Sequence, residues 1–546
     1  MWHPSNNTSL TRRFCFWTAD ELLRAYRSKT LSPKVVVQDI LERIQQVNDK
    51  VNAYCFVEEK EKLLKQAEES EERYLNGNPL PLDGIPVSVK DLLTVKGWKT
   101  CFGSKAYTTQ RLELSGNNEQ ALIDQVDSPS VEHARKAGCI FIGKVTSPEF
   151  GWEGVTLSPM TGITRNPFDF NLSSGGSSGG SSAALGLGMA PLSIGSDAAG
   201  SVRIPASMCM VSSIKPTVSM VPHAPASPFG TMANIGPMAM TIKDVALFLD
   251  IIAQPHPWDP LSIHPSSYGG NENSQKNVND LYDSPPRKYS DDLEGSIRGL
   301  RIGMNFSLSS YCDPDIEKAV RQAAKVFEQL GAIVEEVPEL PFQKDSENLD
   351  IFGSFKVLWC TGGATVLNKR IQPEYQHLVD ENLQQVASRG RSYTAYDLNS
   401  AEMTRTTMTA LMNQQFFTKY DILLTPTLPI TAIDAELETC RDEKIVEQLC
   451  GFHLETSDKN HHSVPKPPCQ SPYFEKEFDM RRWWMFCQYT YPMNMMKLPA
   501  ASVPCGKFMG LHVVGPQYAE RLVLKVAHAF QCHTDFVPDL SKNCCE

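Results

Sequence analysis

No stretch of this 546-residue chain approaches the roughly 20 consecutive apolar residues that a bilayer-spanning helix requires. The first residues, MWHPSNNTSLTRRFCFW, lack the continuous apolar core of a secretory signal. Asn543, not a cysteine, stands fourth from the end, so a prenylation signal is missing as well. Long basic runs are also absent: 52 Lys and Arg against 63 Asp and Glu give a net charge of -11, which argues against nucleic acid as the main partner. The 15 cysteines are scattered singly, with no C-x-x-C pair and only Cys544 and Cys545 adjacent. That pattern fits thiols kept reduced better than a disulfide framework or a zinc site. A cytoplasmic protein with no membrane span and no metal is the expectation.

What is present is long alternation of strand and helix. Thr18-Ala-Asp-Glu21 reads as a capping box opening a helix over Glu21 to Ser28, and Ser32-Pro33 starts a second helix with apolar Val36, Ile40, Leu41 and Ile44. A charged helix from Glu58 to Tyr74 stops at Asn76-Gly77-Asn78-Pro79. Ile85, Val87 and Val89 then alternate in a short strand carrying Lys90 at its end. A helix around Val131 to Ala137 and a strand Ile140 to Lys144 follow, then an irregular passage from Ser158 to Leu172. A helix spans Ile242 to Ile252, Leu300 to Val337 forms a βαβ unit, and further helices run to about Phe417. Asp421 to Pro426 is a buried strand, and strands beginning at Ala500 and Leu511 precede a last helix, Ala519 to Phe530.

These segments divide the chain into N-terminal helices (15–75), a core (80–255), a polar insertion (about 256–293), a second α/β part (298–434), another insertion (about 439–477) and C-terminal strands and helix (498–532). The length admits one large domain or three ordinary ones. The second insertion holds His461 and His462, which lack the nearby Cys or carboxylate pattern of a metal site.

The densest chemistry lies between Ser173 and Pro205, SSGGSSGGSSAALGLGMAPLSIGSDAAGSVRIP. A flexible Gly/Ser linker would not continue into the apolar, small-residue segment Ala183 to Leu192 and a second glycine turn. The phosphate-binding loop G-x-x-x-x-G-K-[ST] fails because Ser181 follows Gly180, and G-x-G-x-x-G fails at Pro191. Gly175-Gly-Ser177-Ser-Gly179 matches the nucleophile elbow G-x-S-x-G, but Asn166 to Ser174 is a poor strand to lead into it. Ser212-Ser-Ile-Lys215 matches S-x-x-K, a pattern short enough to arise by chance.

Taken together, Gly175-Gly-Ser-Ser-Gly-Gly180, Gly195-Ser-Asp-Ala-Ala-Gly-Ser201-Val-Arg203-Ile-Pro205 and Lys90 in Pro86-Val-x-x-Lys90-Asp91 resemble the amidase signature family. Gly143 to Trp152, Gly162 to Pro167, Lys215 to Thr217, Tyr420 to Pro426 and Leu498 to Pro504 extend the resemblance along most of the chain. It implies one large α/β domain over residues 1–546, with a mixed sheet flanked by helices. It also implies amide hydrolysis through a Ser-Ser-Lys triad without a cofactor. By motif position Ser201 matches the acylated nucleophile, Ser177 the bridging serine on a cis peptide, and Lys90 the base.

Physical chemistry suits these roles. A hydroxyl becomes a nucleophile only when a base takes its proton, and lysine can be that base once burial or a nearby cation disfavours its ammonium form. Small residues in the turn leave the backbone N–H groups of Ala198, Ala199, Gly200 and Ser201 as an oxyanion hole. Arg203 and Asp197 read as structural. Phe150, Trp152 and Met160 read as core, with an apolar pocket lining as the alternative.

Three departures from the family pattern bear on the pocket. Ala199 stands where glycine is frequent, at a cost of about 1 kcal/mol if a positive φ is required. Met210 and Ser213 replace glycines, and Cys505 to Gly510 is a shortened loop. The expected partner is a small amide, with ammonia or an amine released, and a homodimer is allowed. Two other functions compete: the glutamine-hydrolysing component of a tRNA-dependent amidotransferase, disfavoured by the lack of an arginine pair before Tyr420, and a catalytically silent binding relative.

Overall fold

A computed structural model describes residues 13–113, 124–263, 288–345, 349–436 and 483–536. Most of the first insertion, all of 439–477 with its two histidines, and the terminal cysteine pair lie outside the described residues. The centre is an 11-stranded mixed sheet. Its strands in chain order are β1 (Tyr54–Val57), β2 (Pro86–Lys90), β3 (Ile140–Val145), β4 (Leu192–Asp197), β5 (Ser212–Lys215), β6 (Asn234–Ala239), β7 (Arg301–Met304), β8 (Ile333–Glu336), β9 (Ile422–Pro426), β10 (Ala500–Gly506) and β11 (Met509–Val514). In space they run β1-β3-β2-β4-β6-β5-β10-β11-β9-β7-β8. β3, β2 and β4 are mutually parallel, as are β9, β7 and β8, and the remaining pairs are antiparallel.

Alternation along the strands sorts side chains into two cores, because successive residues point to opposite faces. Ile422 and Leu424 join one apolar cluster while Leu423 joins the other, and Val513 and Val514 divide in the same way. One cluster packs the N-terminal helices Ala19–Arg27 and Pro33–Val51 with the helices Ile242–Ile252, Pro314–Gln329 and Glu520–Cys532. The other packs Ile351–Arg370, Glu381–Ser392 and Ala395–Leu411, with aromatic rings such as Phe355, Trp359, Trp483 and Tyr491 in contact.

The capping box at Thr18 and Glu21 forms, opening a helix over Ala19–Arg27. The charged helix covers Lys60–Leu75. Two expectations need correction. The passage 158–172 is not wholly irregular, since Leu157–Ser158 pairs with Gly162–Ile163 and Arg165–Asn166 with Asp169–Ser173. The residues before Ser177 therefore do form a strand, Asp169–Ser173, but one in a two-stranded ribbon apart from the main sheet. The described start of the first insertion is anchored: Asp259 Oδ2 accepts from His223 N at 2.9 Å, and His256 Nε2 lies 3.1 Å from Glu132 Oε2.

Candidate functional site

β2 is buried at every position, so its alternation separates apolar from polar side chains and does not separate buried from exposed ones. Val87 and Val89 enter the first apolar cluster. Ser88 and Lys90 face the other way, where Ser88 Oγ donates to Ser193 Oγ of β4 at 2.8 Å. Because β2 and β4 run parallel, Lys90 and Asp197 emerge at the same carboxyl edge of the sheet, the edge at which sites of α/β proteins collect. The turn carrying Ser177 and Ser178 precedes the wholly buried helix Gly179–Gly186, and the Gly176–Ser177 peptide is cis.

Lys90 is 0 % exposed. Its Nζ lies 2.7 Å from Ser177 Oγ, 2.9 Å from Ser178 Oγ, 3.1 Å from Ser196 Oγ and 3.4 Å from the Ser196 carbonyl. No carboxylate is among these partners. Burial drives its pKa well below the ordinary lysine value, with the charge of Asp197 the opposing influence. A lysine on the solvated surface would not have such surroundings.

Ser201 is 5 % exposed and lines the same cleft as Ser177. Its backbone carbonyl accepts from Ser178 N at 3.0 Å, which fixes the two serine turns against each other. The loop between them is held by Asp197. Its Oδ1 accepts from Gly200 N, Arg203 Nη2 and Asn494 Nδ2 at 2.8, 3.0 and 2.9 Å, and its Oδ2 from Val202 N and Arg203 Nε at 3.2 and 3.0 Å. Burial alone would raise the Asp197 pKa, but the charge and hydrogen bonds of Arg203, with Asn494, outweigh it and hold it far below the usual carboxylate range. Arg203 Nη1 also reaches His512 Nε2 at 3.0 Å. Because guanidinium cannot accept, that nitrogen is the acceptor and Nδ1–H donates to Thr425 Oγ1 at 3.1 Å.

The donors assigned to an oxyanion hole divide on this geometry. The Gly200 N–H is committed to Asp197. Those of Ala198, Ala199 and Ser201 have no acceptor among the described residues. Ala199 does not adopt the left-handed region, so the cost attached to it does not arise. Gly200 does, at φ 135°, and a Cβ there would stand 2.4 Å from Thr490 Oγ1, which itself donates to the Ala199 carbonyl at 2.6 Å. Met210 takes a left-handed φ of 50°, and Ser213 lies buried in β5. The shortened loop is the tight hairpin between β10 and β11.

Sequence reasoning missed several neighbours. Ser178 and Ser196 share Lys90 with Ser177, and only their adjacency to motif residues hinted at this. Gly151, at φ 70°, leaves room beside Ser177 that a Cβ would fill, 3.2 Å from Ser177 Oγ. The cleft has an open volume of about 820 Å³, solvent at its mouth included, and its walls include Leu92, Phe102, Phe150, Phe229, Val366 and the segment His223 to Pro228. Phe150 is thus both core and lining. Trp152 is core alone, and Met160 is 39 % exposed and neither.

A family model described as Amidase matches residues 35–450. The chain belongs to the amidase signature family. An acylamidase of Rhodococcus erythropolis is 30 % identical over 536 residues, covering 96 % of each chain. The A component of a glutamyl-tRNA(Gln) amidotransferase, from Alkaliphilus metalliredigens (strain QYMF), is 27 % identical, covering 94 % of this chain and 96 % of its own. Among solved structures, a bacterial aryl acylamidase of the amidase signature enzymes superposes with a TM-score of 0.74 at 23 % identity, covering 96 % of this chain and 98 % of that one. A 6-aminohexanoate cyclic dimer hydrolase gives 0.73 at 22 %, covering 96 % and 99 %. The amidase signature fold follows from these superpositions, and membership of the family supports amide hydrolysis. Among the described residues no helix is long and apolar enough to cross a membrane, and no three His, Cys, Asp or Glu gather as metal ligands would.

Proposed function

We propose that this chain is an amide hydrolase that cleaves a linear carboxamide through an acyl-enzyme on Ser201. The observation that carries the reading is Lys90: a buried amine with hydroxyl and carbonyl oxygens around it, 2.7 Å from Ser177 Oγ. Neutral Lys90 accepts the proton of Ser177, which takes that of Ser201 as its Oγ attacks the carbonyl carbon. The oxyanion receives N–H groups from the Ala198 to Ser201 turn. Collapse breaks the C–N bond, the leaving nitrogen takes the proton back through Ser177, and water then hydrolyses the ester by the reverse relay. Labelling by a serine-directed fluorophosphonate, with peptide mapping, tests it: the adduct is expected on Ser201, accompanied by ammonia or amine release from linear amides. An adduct on Ser177 with none on Ser201 overturns the assignment.

A second reading, the glutamine-hydrolysing component of an amidotransferase, is favoured by relatives such as the Alkaliphilus protein. The cleft weighs against it. Glutamine carries an ammonium beside its carboxylate, and the only acid in the described lining, Asp197, is already taken up by Arg203 and Asn494. Ammonia release from glutamine measures it directly.

A further inference from the structure

Among the described residues one guanidinium lines the cleft, and no carboxylate pairs with it. Arg370 ends the helix Ile351–Arg370 and lines the cavity that Ser177 and Ser201 also line. Its Cζ lies over the Phe102 ring, 4.6 Å from the centroid, and Phe102 stacks on Phe150 at 5.7 Å. The backbone is pinned, because Gln110 Nε2 donates to the Arg370 carbonyl at 3.1 Å and Gln110 Oε1 accepts from Gln372 N at 2.7 Å. The side chain itself donates to no acceptor and pairs with no carboxylate among the described residues. Neighbouring polar groups do not supply a charge: Tyr107, 2 % exposed, has a hydroxyl without a hydrogen-bond partner, and His223 is held neutral, its pKa pushed down to about 4 by burial, against which Asp259 and a backbone hydrogen bond pull upward.

Arg370 is partly buried, and a guanidinium partly withdrawn from water without a partner carries a cost that is relieved when a ligand brings an acceptor with matching planar geometry. The aromatic face beneath it supplies only a partial offset. Resting on the amide-hydrolase reading above, we propose that Arg370 forms a subsite for a carboxylate on the substrate, so that the amide cleaved is an acidic one joined to that carboxylate by a span that packs on Phe102 and Phe150. Arg370 then sets specificity and takes no part in the proton relay.

The test compares kcat/KM for matched pairs: monoanilides of succinic, glutaric and adipic acids against anilides of butyric, pentanoic and hexanoic acids, and 4-acetamidobenzoate against acetanilide. In the native enzyme at least one acidic member is expected to exceed its neutral partner tenfold or more, mainly through KM. In Arg370→Met the acid-to-neutral ratio in that pair is expected to fall about 10- to 100-fold, the worth of a hydrogen-bonded charge pair. Arg370→Lys, which keeps the charge and loses the fork, should retain an intermediate ratio. Turnover of neutral anilides with no acid preference in any pair, or a preference that survives Arg370→Met, overturns the subsite and leaves the amide-hydrolase reading standing. Absence of turnover throughout, together with no fluorophosphonate adduct on Ser201, removes that reading and the subsite with it.

Discussion

β2 and β3 lie side by side, parallel, and each presents a lysine to the interior at 1 % exposure or less. Lys144 on β3 meets a carboxylate: its Nζ is 3.4 Å from Asp91 Oδ1, 2.6 Å from the Leu93 carbonyl and 2.9 Å from Thr100 Oγ1. Lys90 on β2 meets three serine hydroxyls and one carbonyl. Asp197, whose charge acts on Lys90, is spoken for by Arg203. Two lysines one register step apart on neighbouring strands, Lys144 beside Val89 and Lys90 beside Val145, thus serve opposite ends. Lys144 is housed beside a carboxylate, whereas Lys90 sits among hydroxyls where burial lowers its pKa and favours the amine with its lone pair, and the difference is set by what each tip meets.

The largest effect falls on the group that the lone pair is proposed to activate. Ser201→Ala should abolish fluorophosphonate labelling and lower kcat by roughly 10⁵-fold or more, with melting little changed. A labelled variant would show that the lone pair serves another nucleophile. Next comes the contrast itself. Lys90→Met should cost about 10⁴-fold in kcat, the upper range for general acid-base help, while Lys144→Met should leave the rate of the folded enzyme within an order of magnitude. The sign with pH is definite. A lysine whose native pKa is depressed becomes active as pH rises through that value, so kcat/KM should climb there, and the ascending limb should vanish in Lys90→Met. In the same window the unfolded chain binds a proton that the native state does not, so the Lys90 contribution to stability also rises with pH, up to about 10.4. A pH profile unchanged in Lys90→Met would end the comparison.

Ser177→Ala should lose roughly 10² to 10⁴ in kcat yet still label slowly at Ser201. Ser178→Ala removes one oxygen from around Nζ without breaking the relay, and a loss of about tenfold is expected, read as kcat on the same amide. Lys144→Met belongs to stability: an unpaired Asp91 inside the protein should cost about 3 kcal/mol in denaturant unfolding, and Asp91→Asn in the same chain should recover much of it.

Much of this was legible in residue order. The strand ending at Lys90, the Gly-Ser turns, the βαβ unit between Arg301 and Glu336 and the closing hairpin all announce themselves locally. What the strand pattern hid is that its polar face is also inside. Val87 and Val89 alternate with Ser88 and Lys90 as they would on a half-solvated sheet, and only the packing of the helix Gly179–Gly186 and β4 turns that second face into a dry one. The clamp on the Ser201 loop was invisible for another reason. Thr490, Asn494 and His512 are polar residues in unremarkable settings, and nothing near them in sequence shows that they meet Asp197, Ala199 and Arg203. Arg370 escaped likewise, since a lone arginine at a helix end looks like any dipole-facing cation.

That clamp has a consequence for the order in which the protein is made. Lys90, Ser177, Ser201 and Arg203 all leave the ribosome long before Asn494, whose side chain meets Arg203 across 291 residues. At roughly 5–20 residues per second, about 15–60 s separates them. Throughout that interval the nascent chain holds every residue assigned to the proton relay and none of the three downstream contacts that shape the turn. A truncation between Arg203 and Thr490 should therefore yield a product that carries both motif serines and the lysine yet lacks a formed turn, so the segment from Thr490 onward acts as the step that arms the site.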